Sequence, residues 1–108
     1  MVSPLSVEEL AAWLADAQRQ PPVLLDVRES WEVEHCALGG ITHIPMAEVP
    51  AGAHALDASR DVVCICHHGM RSQRVAMYLA QQGFEKVYNL TGGVDAWAQR
   101  VEPAMPRY

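Results

Sequence analysis

In the stretch "CICHHGMRSQRV" (64–75), Cys66 ends an apolar run and is followed closely by Gly69 and Arg71. A thiol at the lip of a short loop that runs into a helix N-terminus is placed for nucleophilic chemistry. Gly69 lets such a loop curl through dihedral angles that other residues avoid. Successive amide N–H groups in the curl then point at a common centre and form an anion-binding nest. The helix behind adds unpaired N–H groups and the positive end of its dipole, and Arg71 is the one permanent side-chain charge of residues 66–71. Electropositive surroundings of this kind favour thiolate, the nucleophilic form. A stabilisation of about 2.7 kcal/mol turns an ordinary cysteine from a few per cent thiolate at neutral pH into mostly thiolate. The same nest accepts an incoming anion.

The neighbouring candidates have plainer readings. Cys64, in the middle of the apolar run, and Cys36 read as small packing residues. His67 and His68 read as solvated residues of an exposed loop, able to add positive charge near the sulfur at lower pH. Cys64, Cys66, His67 and His68 sit too close in sequence to converge on one tetrahedral ion. There is no C-x-x-C pair and no second cluster at zinc spacing, so neither a metal nor a cofactor is expected.

The elements that position this loop follow from the pattern. Ser6 and Glu9 form a capping box, after which Leu10, Trp13, Leu14 and Ala17 fall at helical spacing until Pro21-Pro22 stops the helix. "VLLDV" (23–27) and "ITHIP" (41–45) read as strands, with a turn or short helix over 29–40 ending at Gly39-Gly40. Residues 46–60 read as loop or short helix. "VVCIC" (62–66) is apolar throughout, as a central parallel strand covered on both faces should be. A helix over 72–82 carries Ser72, Val75, Ala76, Leu79 and Ala80 on one face, with Gly83 as its C-terminal stop. "KVYNL" (86–90) is another strand, and "GGVDAWAQR" opens a last helix with Trp97 turned inward. Residues 102–108, "EPAMPRY", read as a loose tail. Strands alternating with helices predict an α/β fold with a mainly parallel sheet, organised as one domain over 1–108. Ligands of such sheets bind at the carboxyl ends of the strands, where Cys66 lies.

Composition bounds the function. With 8 Lys+Arg against 13 Asp+Glu the net charge is −5, which disfavours a nucleic-acid footprint. No apolar run is long enough to span a membrane. The N-terminus lacks the basic and apolar regions of a secretory signal. Three cysteines without such a signal predict free thiols in a reducing cytoplasm, in a protein that is a monomer or weak dimer.

"CHHGMRS" after an apolar strand, with "LLDVRE" upstream and "VYNLTGGVDAW" downstream, resembles the rhodanese family of sulfurtransferases, as does "HCALGGITHIP". The resemblance extends from "LSVEELAAWL" to Trp97. It implies a three-layer α/β domain with a five-stranded, mainly parallel sheet flanked by helices. It also implies that Cys66 takes a sulfane sulfur from a small anionic donor such as thiosulfate, becoming a persulfide. Cyanide, a thiol or a protein then collects the sulfur. The backbone of His67, His68, Gly69, Met70 and Arg71 would cradle the donor and the persulfide. Asp26 and Arg28 match the family's Asp-x-Arg pair; Asp26 reads as structural support, with Arg28 open between support and chemistry.

Loop length separates this reading from a neighbouring one. Cys66 to Arg71 is Cys-x4-Arg, whereas the related phosphatases resemble Cys-x5-Arg, a wider ring suited to a tetrahedral phosphate. Sulfur transfer is therefore favoured over phosphatase or arsenate reductase activity, and a non-catalytic binding or persulfide-relay module is the other alternative. "HCALGG" departs from the family pattern at Cys36, which is thereby a candidate resolving thiol.

Overall fold

The computed structural model describes residues 1–108. Five strands, β1 (Val2–Leu5), β2 (Val23–Asp26), β3 (Ile41–His43), β4 (Val62–Ile65) and β5 (Val87–Leu90), form one sheet in the order β1-β5-β4-β2-β3. Every pairing is parallel. The helices are α1 (Val7–Ala15), α2 (Ser30–His35), α3 (Val49–Gly52), α4 (Met70–Gln81) and α5 (Gly93–Arg100), with short 3₁₀ turns on either side of α3. None is long and apolar enough to cross a membrane.

The central strand shows how the sequence builds two cores. Successive side chains of a strand point to opposite faces. Val63 and Ile65 join Leu10, Trp13, Val94 and Trp97 beneath α1 and α5. Val62, Cys64 and Cys66 join Val75, Ala76 and Leu79 beneath α4. Because both faces are covered, β4 is apolar at every position rather than alternating. Cys66 therefore packs as a core residue and reaches the loop only because the strand ends just before it.

Most predicted elements appear, with instructive differences. The strand β1 escapes the sequence pattern because "VSPL" is short, half exposed and interrupted by Pro4. That proline is tolerated because β1 is an edge strand, paired only with β5. In α1 the buried face runs back to Val7 rather than on to Leu14 and Ala17. The helix ends at Ala15 and Asp16 is extended, which leaves Leu14 and Ala17 exposed. The helix α4 starts two residues earlier than expected, because Gly69 at φ +103° reverses the chain in one step. The loop after Cys66 is correspondingly tight. The last residues are tied down rather than loose: Met105 is buried in the core under α5, and Tyr108 is hydrogen-bonded to Arg28 and Glu32.

Leu79 sits fully buried at the centre of the α4 face. Leu79→Ala should cost roughly 3 kcal/mol of stability through lost transfer energy and a cavity, measured as a lower midpoint in urea unfolding.

Candidate active site

The site lies at the carboxyl end of β4, between the loops that leave β5 and β2, its two neighbours in the sheet. The thiol of Cys66, 1% exposed, lies at the start of α4. The N–H of Gly69 donates to Sγ at 3.0 Å and the N–H of Ser72 at 3.4 Å. The Ser72 hydroxyl is 3.2 Å from Sγ and also donates to Asn89 Oδ1. Asn89 is oriented by its own amide N–H, which donates to the Gly69 carbonyl at 2.9 Å.

The loop is held open around the sulfur by α5. The N–H of Val94 donates to the Cys66 carbonyl at 2.9 Å, and that of Asp95 to the His67 carbonyl at 3.1 Å. These bonds use donors that the first turn of a helix leaves unpaired. Gly93 makes the approach possible: a Cβ there would collide with the carbonyl oxygens of Cys66 and His67. The paired glycines of "TGGVDAW", both at positive φ, thus belong to the cysteine loop although they lie more than twenty residues from it in the sequence.

Above the sulfur, Cys66, His67, His68, Met70 and Arg71 line an open cavity of about 200 Å³. Met70 and His68 are exposed. His67 differs from the expectation of a solvated residue. Its ring stacks on Tyr108 with centroids 3.9 Å apart and planes 9° apart, its Nε2 is buried without a partner, and burial lowers its pKa.

Asp26 and Arg28 form a fully buried ion pair at 2.7 Å. Every N–H of the Arg28 guanidinium has an acceptor: Asp26, the carbonyls of Cys36 and Glu32, and the Tyr108 hydroxyl. Burial opposes its charge, and the bonds to Asp26 and Tyr108 outweigh that penalty, so its pKa is raised. Arg28 therefore faces the interior and ties β2 to the end of α2. Arg71 is likewise engaged, in a bidentate pair with Glu32 at 2.7 and 2.8 Å. The Arg71 bonds hold the Glu32 carboxyl down to about 2, against the opposing effect of its burial. Cys36 and Cys66 belong to different core clusters, Cys36 with the residues under α1 and α5 and Cys66 with those under α4. Burial pushes the Cys64 thiol up to about 12.

The rhodanese-like domain pattern matches residues 6–100. The chain belongs to the rhodanese-like domain family. A rhodanese-like and PpiC domain-containing chloroplastic protein of Arabidopsis thaliana is 36% identical over 112 residues, covering 99% of this chain and 38% of that protein. This chain thus spans well under half of that relative's length. The thiosulfate sulfurtransferase GlpE of Coxiella burnetii is 37% identical over 93 residues, 84% of each chain. The crystal structure of SSP1007 from Staphylococcus saprophyticus matches with a TM-score of 0.83 at 29% identity, over 92% of this chain and 96% of that one. The five-stranded parallel sheet is the rhodanese-like fold.

Within this rhodanese-like domain, four residues of the site were not singled out for it in the sequence. Ser72 had a visible signal, a hydroxyl at the loop exit, but reads equally well as one position of a helix face. Asn89 lies on a strand whose pairing with β4, Cys64 opposite Asn89, is a tertiary fact. Glu32 sits in a run of mixed polarity, and Tyr108 lies outside the family match.

Two outcomes follow from the buried charges. Asp26→Asn leaves the Arg28 cation without its counter-ion and should cost roughly 3–5 kcal/mol, seen as a lower urea midpoint. The folded pKa of Glu32 lies below its ordinary value near 4.5. Its contribution to stability is therefore complete above about 4.5 and is lost as pH falls toward about 2. Unfolding midpoints taken stepwise through that window should fall in the wild type and stay flatter in Glu32→Gln.

Proposed function

We propose that this rhodanese-like domain is a sulfurtransferase acting through a persulfide on Cys66. The observation that carries the reading is the convergence of the Gly69 and Ser72 N–H groups on Sγ, at the base of an open cavity. Such donors are aimed where negative charge resides on sulfur, before and after transfer. The relatives named sulfurtransferases, covered over most of their length, support the same reaction class.

The reaction balances without any outside oxidant. The Cys66 thiolate attacks the sulfane sulfur of thiosulfate, the sulfur–sulfur bond breaks, and sulfite leaves with the bonding pair. The product is a Cys66 persulfide whose terminal sulfur carries the negative charge. An acceptor nucleophile then attacks that terminal sulfur, and Cys66 departs as thiolate. With cyanide the product is thiocyanate; with a thiol or a protein cysteine it is a new persulfide on the acceptor. The open side lined by His68 and Met70 leaves room for an acceptor larger than cyanide. The loop N–H groups hold the sulfur, and Arg71 at the rim supplies the positive charge that draws in an anionic donor. The three cysteines are free thiols, consistent with work in the reducing cytoplasm, where thiol acceptors are abundant.

Intact mass after incubation with thiosulfate tests the proposal. The wild type should gain about 32 Da, one sulfur atom held as a persulfide, and lose it on addition of cyanide. Cys66→Ser should show no gain and no turnover, because a hydroxyl does not ionise as a thiol does. A gain that persists in Cys66→Ser would overturn the mechanism.

A further inference from the structure

We propose that Tyr108 is a positioning residue for the sulfur-transfer loop, acting through Glu32 to set the charge that Arg71 presents to an anionic donor. The inference rests on the sulfur-transfer reading for its substrate. Its residue lies outside the family match, which ends at residue 100.

Tyr108 is held in place on every side. Its ring stacks on His67 at 3.9 Å and meets Trp31 and His35 edge-on at 5.7 and 5.4 Å. The segment leading to it is pinned by buried Met105 and by Arg107, whose Nε donates to Asp95 at 3.0 Å. The ring is thereby fixed where its hydroxyl performs one task. It accepts from Arg28 Nη1 at 2.8 Å and donates to Glu32 Oε1 at 2.9 Å. That same Oε1 accepts from Arg71 Nη2 at 2.8 Å.

A continuous chain of charge and hydrogen bonds therefore runs Asp26, Arg28, Tyr108, Glu32, Arg71, from a buried pair to the rim of the cavity. Its effect on the donor follows from the sign of each link. Glu32 is an anion beside the loop's cation, so it opposes the attraction of a second anion. The Tyr108 hydroxyl draws part of the Oε1 charge inward, backed by the Arg28 cation. Without it, the whole of that charge falls on Arg71, and the guanidinium is drawn further from the donor. The bidentate pair uses Nη1 and Nη2 of Arg71 and leaves Nε–H without a protein acceptor, as a donor for an arriving anion. The aromatic contacts survive the loss of the hydroxyl, so Tyr108→Phe removes only its hydrogen bonds to Arg28 and Glu32.

The test measures Cys66 persulfide formation against thiosulfate concentration in the full chain. Hydrogen bonds to charged groups are worth enough that Tyr108→Phe should raise the half-saturating concentration about tenfold, with the maximal rate nearly unchanged. Alkylation of Cys66 gives a second readout that needs no sulfur transfer. The rate with anionic iodoacetate relative to neutral iodoacetamide, followed by mass on the Cys66 peptide, should fall about threefold in Tyr108→Phe. In a Glu32→Gln background the same Tyr108→Phe change should leave both quantities nearly unmoved, because the route runs through Glu32. An unchanged half-saturation and alkylation ratio in Tyr108→Phe overturns the inference. So does a lower maximal rate at constant half-saturation, or an effect that persists in full beside Glu32→Gln. If wild-type Cys66 takes up no sulfur from thiosulfate, the sulfur-transfer reading fails there, and the alkylation ratio still decides the role of Tyr108.

Discussion

The site depends on the two bonds by which α5 holds the carbonyls of Cys66 and His67. A peptide unit is planar, so fixing its carbonyl fixes the direction of its N–H on the opposite side. Once α5 has drawn those carbonyls to itself, the loop is committed to curling around the sulfur. Gly69 then turns the chain into α4, and the first free N–H groups of that helix complete the ring. A backbone arrangement of this sort needs no side-chain ligand for the sulfur except Ser72. It does need Gly93 at the start of α5, where a Cβ would collide with the carbonyls of Cys66 and His67, and Gly92 before it, where a Cβ would collide with Ala96.

Charge is handled in the same economical way. Arg28 and Arg71 both lie near the site, and both are paired with carboxylates folded against them. A buried ion pair rarely adds net stability relative to apolar residues, and the Asp26–Arg28 pair makes more sense as a tie. Its guanidinium joins β2, the end of α2 and the C-terminal residues at a single point.

The parts legible in the sequence are those with local causes. The apolar run through Cys66, Gly69 before a helix and the Gly92-Gly93 pair each state a local constraint, and the fold class follows from their alternation. What stayed hidden depends on residues meeting across the sheet. Nothing near Asn89 says that it will face Cys64 across β4 and β5, or that its amide will orient the Ser72 hydroxyl. His67 looks like half of a solvated pair until Tyr108, forty-one positions away, is laid on its ring. The edge strand β1 is hidden for a different reason: it is only half buried and carries a proline, so it lacks the apolar periodicity that marks a strand.

The placement of the three thiols in the two cores bears on the proposed transfer of sulfur. Cys36 packs with the core under α1 and α5, and Cys64, although in the same cluster as Cys66, is fully buried, with its thiol pushed up to about 12 by that burial. On the sulfur-transfer reading proposed above, a persulfide on Cys66 would therefore be discharged to another molecule rather than to Cys64. Occupancy would then report the supply of donor against the demand of acceptor, with discharge governed from outside the fold.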